Sequence, residues 1–242
     1  MIAGSDAVAP GSMWIEPDIS GLVTENEILS EKQGRLLTEP LYSSWAGPLP
    51  RDDGEARRFA AFASVGLFSS IGEPPLVPDM MLSVDTAVAE DLTEKKNRSY
   101  FVWQFGKPPE VVVEIVCNGE GGELGERLRR YQRMRVSYYI VHDPLHALGE
   151  PVLRSFAIRG DRYVPVERPW FESIGLGLIE WDGVFEGLRG RWLRWCTLDG
   201  RVVPTGAERA EAAVARAGIA EARVERLAAR LRELGIDPND EG

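Results

Sequence analysis

Six consecutive residues, Val111-Val112-Val113-Glu114-Ile115-Val116, are apolar apart from one glutamate. A β-branched run of this length predicts a strand buried on both faces. The stretch Leu76–Val84 predicts a second strand, with Pro78 placed at an edge or bulge because proline has no ladder N–H to donate. Phe59–Ser69 alternates well enough for a third. After the 111–116 run, the turn Asn118-Gly119-Glu120-Gly121-Gly122 leads into a predicted helix over Glu123–Met134, with Leu124, Leu128 and Tyr131 on one stripe. Ser137–Val141 reads as the next buried strand, closed by His142-Asp143-Pro144. Strand, helix and strand in thirty-odd residues predict a right-handed crossover between parallel strands.

Other segments are read in the same way. Residues 1–20 are rich in Gly, Ser, Pro and acidic residues without periodicity and predict an irregular arm. Ser30–Trp45 predicts a helix with Ser30 as N-cap and Gln33 completing a capping box, ended or kinked by Pro40. Glu90–Gly106 predicts a short amphipathic helix or ordered loop beneath the sheet. From Pro151 to Val203 short β segments are expected, with turns at Gly160-Asp161, Asp182-Gly183 and Asp199-Gly200. Beyond Pro204, Ala210, Ala213, Ala217, Ala220, Val224, Leu227, Leu231 and Leu234 step by three and four, a coiled-coil register, with Gly235 and Pro238 as stops. The expected organisation is an arm at 1–20, an α/β domain over 21–203 with a β-rich C-terminal part, and a helical tail at 204–242.

Composition narrows the function. No stretch is long and apolar enough to span a bilayer, no basic leader precedes an apolar segment, and two cysteines make no disulfide framework. The expectation is a soluble cytoplasmic protein with no membrane partner. The net charge of −10 argues against broad, non-specific nucleic-acid binding but leaves room for a local basic site. Arg127, Arg129, Arg130, Arg133 and Arg135 directly follow the Glu114 strand and are either a solvated helix face or phosphate contacts.

A carboxylate in the middle of a buried strand is costly unless it is neutralised, hydrogen-bonded or bound to metal. Two readings of Glu114 stand open at this point: a metal ligand, or a side chain that reaches a sheet edge or pairs with an arginine. Competing motifs fail. A dinucleotide fingerprint starting at Gly119 needs glycine at 124, where Leu124 stands, and Glu120 and Glu123 would repel a pyrophosphate. His142 and His146 straddle Pro144 in what reads as a loop, which is poor zinc-ligand geometry. In a phosphodiesterase reading, Asp79, Glu114 and the backbone carbonyl of Ile115 would hold Mg²⁺ or Mn²⁺. The two carboxylates would then lie on neighbouring strands, with oxygens roughly 3–6 Å apart, and would resist double ionisation without metal.

Several blocks carry a resemblance: Pro78-Asp79-Met80-Met81-Leu82-Ser83, Glu94–Tyr100, Pro109–Val116, Gly121–Gly125, Tyr131, Tyr138–Pro144, Gly175–Leu178, Trp192–Trp195 and the Ala/Arg/Glu tail. Together they resemble the Uma-two family of restriction endonucleases, within the PD-(D/E)XK nuclease superfamily. The resemblance implies a restriction-endonuclease-like mixed sheet flanked by helices, with β additions and a C-terminal coiled-coil-like helix. It implies Asp79 and Glu114 as metal ligands and a Mg²⁺-dependent DNA endonuclease. The superfamily lysine two residues after the glutamate is replaced by Val116. The family's lysine in the following helix falls at Arg127, its serine at Cys117 and its basic residue at Gly119. Lys95 and Lys96 are either candidate substitutes for the missing lysine or part of a solvated face. The alternative expectation is a weakly active or inactive nuclease-fold protein that binds or oligomerises through its helical tail.

Overall fold

The computed structural model describes residues 27–48, 50, 54, 57–118 and 122–234. The arm expected at 1–20, the stops at Gly235 and Pro238, and residues 119–121 of the glycine-rich turn lie outside them. In chain order the elements are α1 (Ile28–Ser43), β1 (Phe59–Ala63), β2 (Leu67–Phe68), β3 (Met80–Val84), β4 (Tyr100–Phe101), α2 (Val102–Phe105), β5 (Val111–Ile115), α3 (Leu128–Met134), β6 (Tyr138–His142), β7 (Leu153–Arg159), β8 (Arg162–Pro165), β9 (Trp170–Phe171), β10 (Leu176–Phe185), β11 (Leu188–Thr197) and α4 (Gly206–Glu233). A 3₁₀ turn (Lys95–Asn97) and a π-helical turn (Glu123–Arg127) complete them.

The main sheet has the order β1-β3-β5-β6-β7-β8. It is mixed: β5 and β6 are parallel, bridged by α3, while the other neighbours are antiparallel. All five residues of β5 are buried, as a continuous apolar run requires. Alternation divides them between two cores. Val111, Val113 and Ile115 meet Leu37 and Leu41 of α1 together with Phe171, Leu178 and Trp195. Val112 and Val116 meet Met81, Tyr131, Tyr139 and Val141 on the α3 side.

Several expectations are corrected. Helix α1 begins at Ile28, and Ser30 and Gln33 form no capping box. The Ser30 hydroxyl instead donates to the Glu27 carbonyl at 3.0 Å. Gln33 is buried and clamps Leu193 of β11: its amide donates to the Leu193 carbonyl and its oxygen accepts from the Leu193 N–H, each at 2.8 Å. Pro40 sits within α1, and the helix continues to Ser43. The single strand expected over Phe59–Ser69 is broken after Ala63, where Ser64 turns to φ 53°. The strand expected over Leu76–Val84 begins at Met80, with Leu76 bridging to Leu67. Asp182-Gly183 is no turn; it lies within the β10–β11 hairpin, whose reversal falls at Glu186-Gly187 with positive φ at both. His142 is no loop residue either: it ends β6 fully buried, and burial pushes its imidazole down to about 4.

One glycine sets how closely α1 approaches the sheet. A Cβ at Gly34 would lie 2.9 Å from the Asp79 carbonyl oxygen and 3.2 Å from Ala63 Cβ. The first contact is backbone and cannot swing aside. Glycine-to-alanine in a helix ordinarily stabilises by about 1 kcal/mol. Here overpacking, which costs about 1–3 kcal/mol, opposes that gain. Gly34→Ala is therefore expected to lower the urea midpoint with an unchanged m-value, and a raised midpoint would show that α1 can withdraw from Asp79 freely.

Candidate active site

Asp79 immediately precedes β3, and Glu114 is the fourth residue of β5. The antiparallel register pairs Met80 with Val113, so one step further sets Asp79 opposite Glu114. Asp79 is tied to the facing strand directly, its Oδ2 accepting from the Ile115 N–H at 2.7 Å. The two carboxylates that the sequence singled out thus come from adjacent strands. The same bond places the backbone of Ile115 against Asp79.

Glu114 is 2% exposed, and both its oxygens are engaged. Arg127 donates to Oε2 at 2.7 Å and the Tyr131 hydroxyl to Oε1 at 2.6 Å. Both partners come from the crossover after β5. Gly122, in the left-handed region at φ 69°, starts the π turn. There the Arg127 N–H reaches back five residues to the Gly122 carbonyl at 3.2 Å. Arg127 and Tyr131 are four residues apart and therefore share one face of this helical segment. Arg127 projects at the Glu114 carboxylate from the first turns after β5. It forms an ion pair with that carboxylate, so one of the two readings of Glu114, pairing with an arginine, is present in the structure.

Electrostatics mark the site. Burial pushes the Glu114 carboxyl up to about 8; Arg127 pulls against it and the Asp79 charge adds to it. Burial likewise pushes Asp79 up to about 6, opposed by the Ile115 N–H and Arg127. Tyr131 stays protonated, its hydroxyl raised by burial and by Glu114, which suits it as a donor. Cys117 follows the same strand, its thiol pushed up to about 12 chiefly by burial, with Glu27 and Asp79 adding. The expected substitutes for the missing lysine are elsewhere engaged or placed: Lys96 pairs with Glu94 at 2.6 Å, and Lys95 shares its 3₁₀ turn. Of the other arginines after β5, Arg130 donates to the Pro74 carbonyl and Arg135 to the Gly160 carbonyl, while Arg129 and Arg133 are exposed.

Two participants escaped the reading of the sequence as site residues. Tyr131 stood there only as an apolar stripe position and a matched residue. Glu123 is buried, its Oε2 finds no hydrogen-bond partner among the described residues, and its charge acts on both Asp79 and Arg127. Its signal was spacing: Glu123, Arg127 and Tyr131 recur every four residues on one helical face.

The donors present suit a hard divalent cation, since Asp79, Glu114 and the Ile115 carbonyl offer oxygen alone. Among the described residues no group of three or more His, Cys, Asp and Glu side chains converges on a metal position, so the site rests on two carboxylates. Arg127 supplies the positive charge that balances Glu114, and a bound cation would take over that role.

The raised carboxyls have a signed consequence. A carboxyl whose folded-state pKa lies above its unfolded value contributes stability that is full below the unfolded pKa and lost as pH rises through the folded one. For the metal-free protein, stability should fall between pH 4.5 and about 8, and Glu114→Gln should flatten that slope. Carboxyl-resolved NMR should place Glu114 above Asp79, both above ordinary carboxylates. Two ordinary midpoints would mean a solvated site.

No curated protein and no solved structure matches the chain. The family model Uma2, described as "Putative restriction endonuclease", matches residues 25–166, which hold α1, the sheet strands β1 to β8 and both carboxylates. That span is more than half of the 242 residues, and with the mixed sheet, its flanking helices and the long C-terminal helix it identifies a restriction-endonuclease-like fold. The chain belongs to the Uma2 family.

Proposed function

We propose that this protein hydrolyses phosphodiester bonds in DNA at Asp79 and Glu114, with Mg²⁺ or Mn²⁺ held by these carboxylates and the Ile115 carbonyl. The observation that carries the reading is a buried glutamate and a half-buried aspartate opposed across adjacent strands in a nuclease-family fold, with a guanidinium beside them. A divalent ion bound there would polarise the scissile phosphate and lower the pKa of an attacking water.

The chain's own groups do the rest. The Ile115 N–H fixes Asp79 Oδ2 and so orients the carboxylate. The Tyr131 hydroxyl fixes the Glu114 carboxylate from behind, as partners of ligating carboxylates do. Arg127 is 34% exposed, so phosphate can reach it from solvent. On substrate binding its guanidinium would exchange the Glu114 oxygen for a phosphate oxygen, which it can meet through two parallel N–H donors. Arg127 stays protonated, its pKa raised by Glu114, and so holds charge without accepting the proton that the attacking water sheds. Exposed Arg129 and Arg133 extend the cationic surface along α3. The two cysteines are free thiols, which suits a reducing cytoplasm, and no helix among the described residues is long and apolar enough to cross a membrane.

A second reading has its own observation. Glu114 already has both oxygens satisfied by Arg127 and Tyr131. A site that balances its own charge can persist as structure, with the fold serving as a carrier for the helical tail.

Supercoiled-plasmid nicking separates the two. Weak Mg²⁺- or Mn²⁺-dependent nicking is expected from the native protein, falling to background in Asp79→Ala and Glu114→Ala. Arg127→Lys should raise it, because an ammonium is compact and can exchange protons. Tyr131→Phe should weaken Mn²⁺ binding about tenfold by isothermal titration calorimetry. Absence of nicking in native protein and Arg127→Lys alike, with both metals, would support the second reading.

A further inference from the structure

Helix α4 is unusual in that most of its length is exposed to solvent. It runs 28 residues and none of them is buried. It is anchored at its start. Thr205 and Glu208 form a capping box, Arg194 grips Glu208 at 2.6 and 2.8 Å, and the Gly206 N–H donates to Glu39 at 3.0 Å. Beyond this first turn come exposed Val224, Leu227 and, at the helix C-cap, Leu234, at 65%, 57% and 69%. A helix that presents its apolar residues to water lacks the tertiary packing from which helices in proteins draw most of their stability.

The charge pattern identifies what covers it. Taking the step of three from Ala210 to Ala213 as a to d, the a positions are Ala210, Ala217, Val224 and Leu231, and the d positions Ala213, Ala220, Leu227 and Leu234. The g positions are then Arg209, Arg216, Arg223 and Arg230, and the e positions Val214, Glu221 and Ala228. Every g position is an arginine. In an antiparallel pair g residues face g residues, so arginines would line up against arginines along the whole seam. In a parallel, in-register pair each g residue faces the e residue five positions on in the partner chain. Arg216 then meets Glu221, twice by symmetry, and Arg209 and Arg223 lay their aliphatic stems over Val214 and Ala228. Val224 at a with Leu227 at d is also the combination that favours two strands.

We infer that α4 is the dimerisation element of this protein, and that its partner is a second copy of the chain in parallel, in-register orientation, paired through Arg216 and Glu221. The alanine-lined first half permits close backbone approach, and the Val/Leu second half supplies most of the apolar burial. Parallel helices carry both α/β domains at the same end of the rod. The inference uses no property of the Asp79–Glu114 site and stands or falls apart from catalysis.

The test uses the full-length protein in multi-angle light scattering at tens of micromolar. The native chain should be a dimer, and Leu231→Asp should be a monomer with unchanged thermal unfolding of the α/β domain. Ile219→Asp, on the c position, should leave the dimer intact. Arg216→Glu alone should weaken the dimer by sedimentation equilibrium, because the introduced carboxylate would then face Glu221 of the other copy. The exchange Arg216→Glu with Glu221→Arg should restore it. Orientation is read from Leu234→Cys, which should give a disulfide-linked dimer on a non-reducing gel under mild oxidation, absent from the native protein. A monomeric native chain, or a dimer that survives Leu231→Asp, would overturn the proposal. Dimers with no Leu234→Cys cross-link and no rescue by the charge exchange would overturn its parallel register.

Discussion

A carboxylate lies in the centre of a sheet, in a strand buried on both faces, and much of the surrounding architecture answers to it. The cost of desolvating a carboxylate is several kcal/mol even after relaxation, so Glu114 needs partners close at hand. It finds them in the segment that immediately follows it. The π turn and α3 bring Arg127 and Tyr131 back over β5, one for each oxygen. The crossover that makes β5 and β6 parallel is therefore also the device that neutralises β5. A conventional crossover would need only an apolar stripe against the sheet; this one carries a carboxylate, a guanidinium and a phenol at four-residue spacing as well.

The same constraint reaches α1 from the other face of the sheet. Gly34 lets the helix backbone lie against the Asp79 carbonyl, and Ser30 lies close enough to act on the Asp79 carboxylate. Gln33, one residue before that glycine, holds β11 through both its amide atoms, and the Trp195 indole N–H donates to the Leu37 carbonyl at 2.6 Å. The β-rich C-terminal part is thus fastened to the sheet through α1. The hairpin then passes its support onward: Arg194 of β11 grips the first turn of α4. A continuous path of packed elements joins the carboxylate pair to the base of the exposed helix.

Arginine at position 127 changes what this site can do. A lysine beside a buried glutamate is a point charge that swings and titrates; a guanidinium is broad, permanently charged and suited to two parallel hydrogen bonds. Arg127 pairs with Glu114, although burial still holds that carboxyl up at about 8, and a cation bound to Glu114 would have to displace the guanidinium. Against the overall charge of −10, the arginines that follow β5 form a locally basic stretch.

What the sequence by itself determined was what local patterning encodes. The run 111–116 predicted a strand buried on both faces, the repeat of threes and fours beyond Pro204 predicted a helix, and a glutamate inside that strand demanded compensation. The expectation that Asp79 lies near Glu114 came from the family resemblance, since strand pairing brings together residues far apart in the chain, whereas Arg127 follows Glu114 by one short crossover. Gln33 read as a capping residue because a side chain 160 positions from its partner leaves no local trace, and only the packing of α1 on β11 decided its role. Asp182-Gly183 has the composition of a turn, yet ten paired residues on each side of the hairpin overruled it, since a long ladder outweighs a local preference. Tyr131 and Glu123 looked like ordinary helix positions because their significance is directional. Tyr131 donates to Glu114 and Glu123 acts on Asp79 and Arg127, and those encounters exist only once the crossover lies over the sheet.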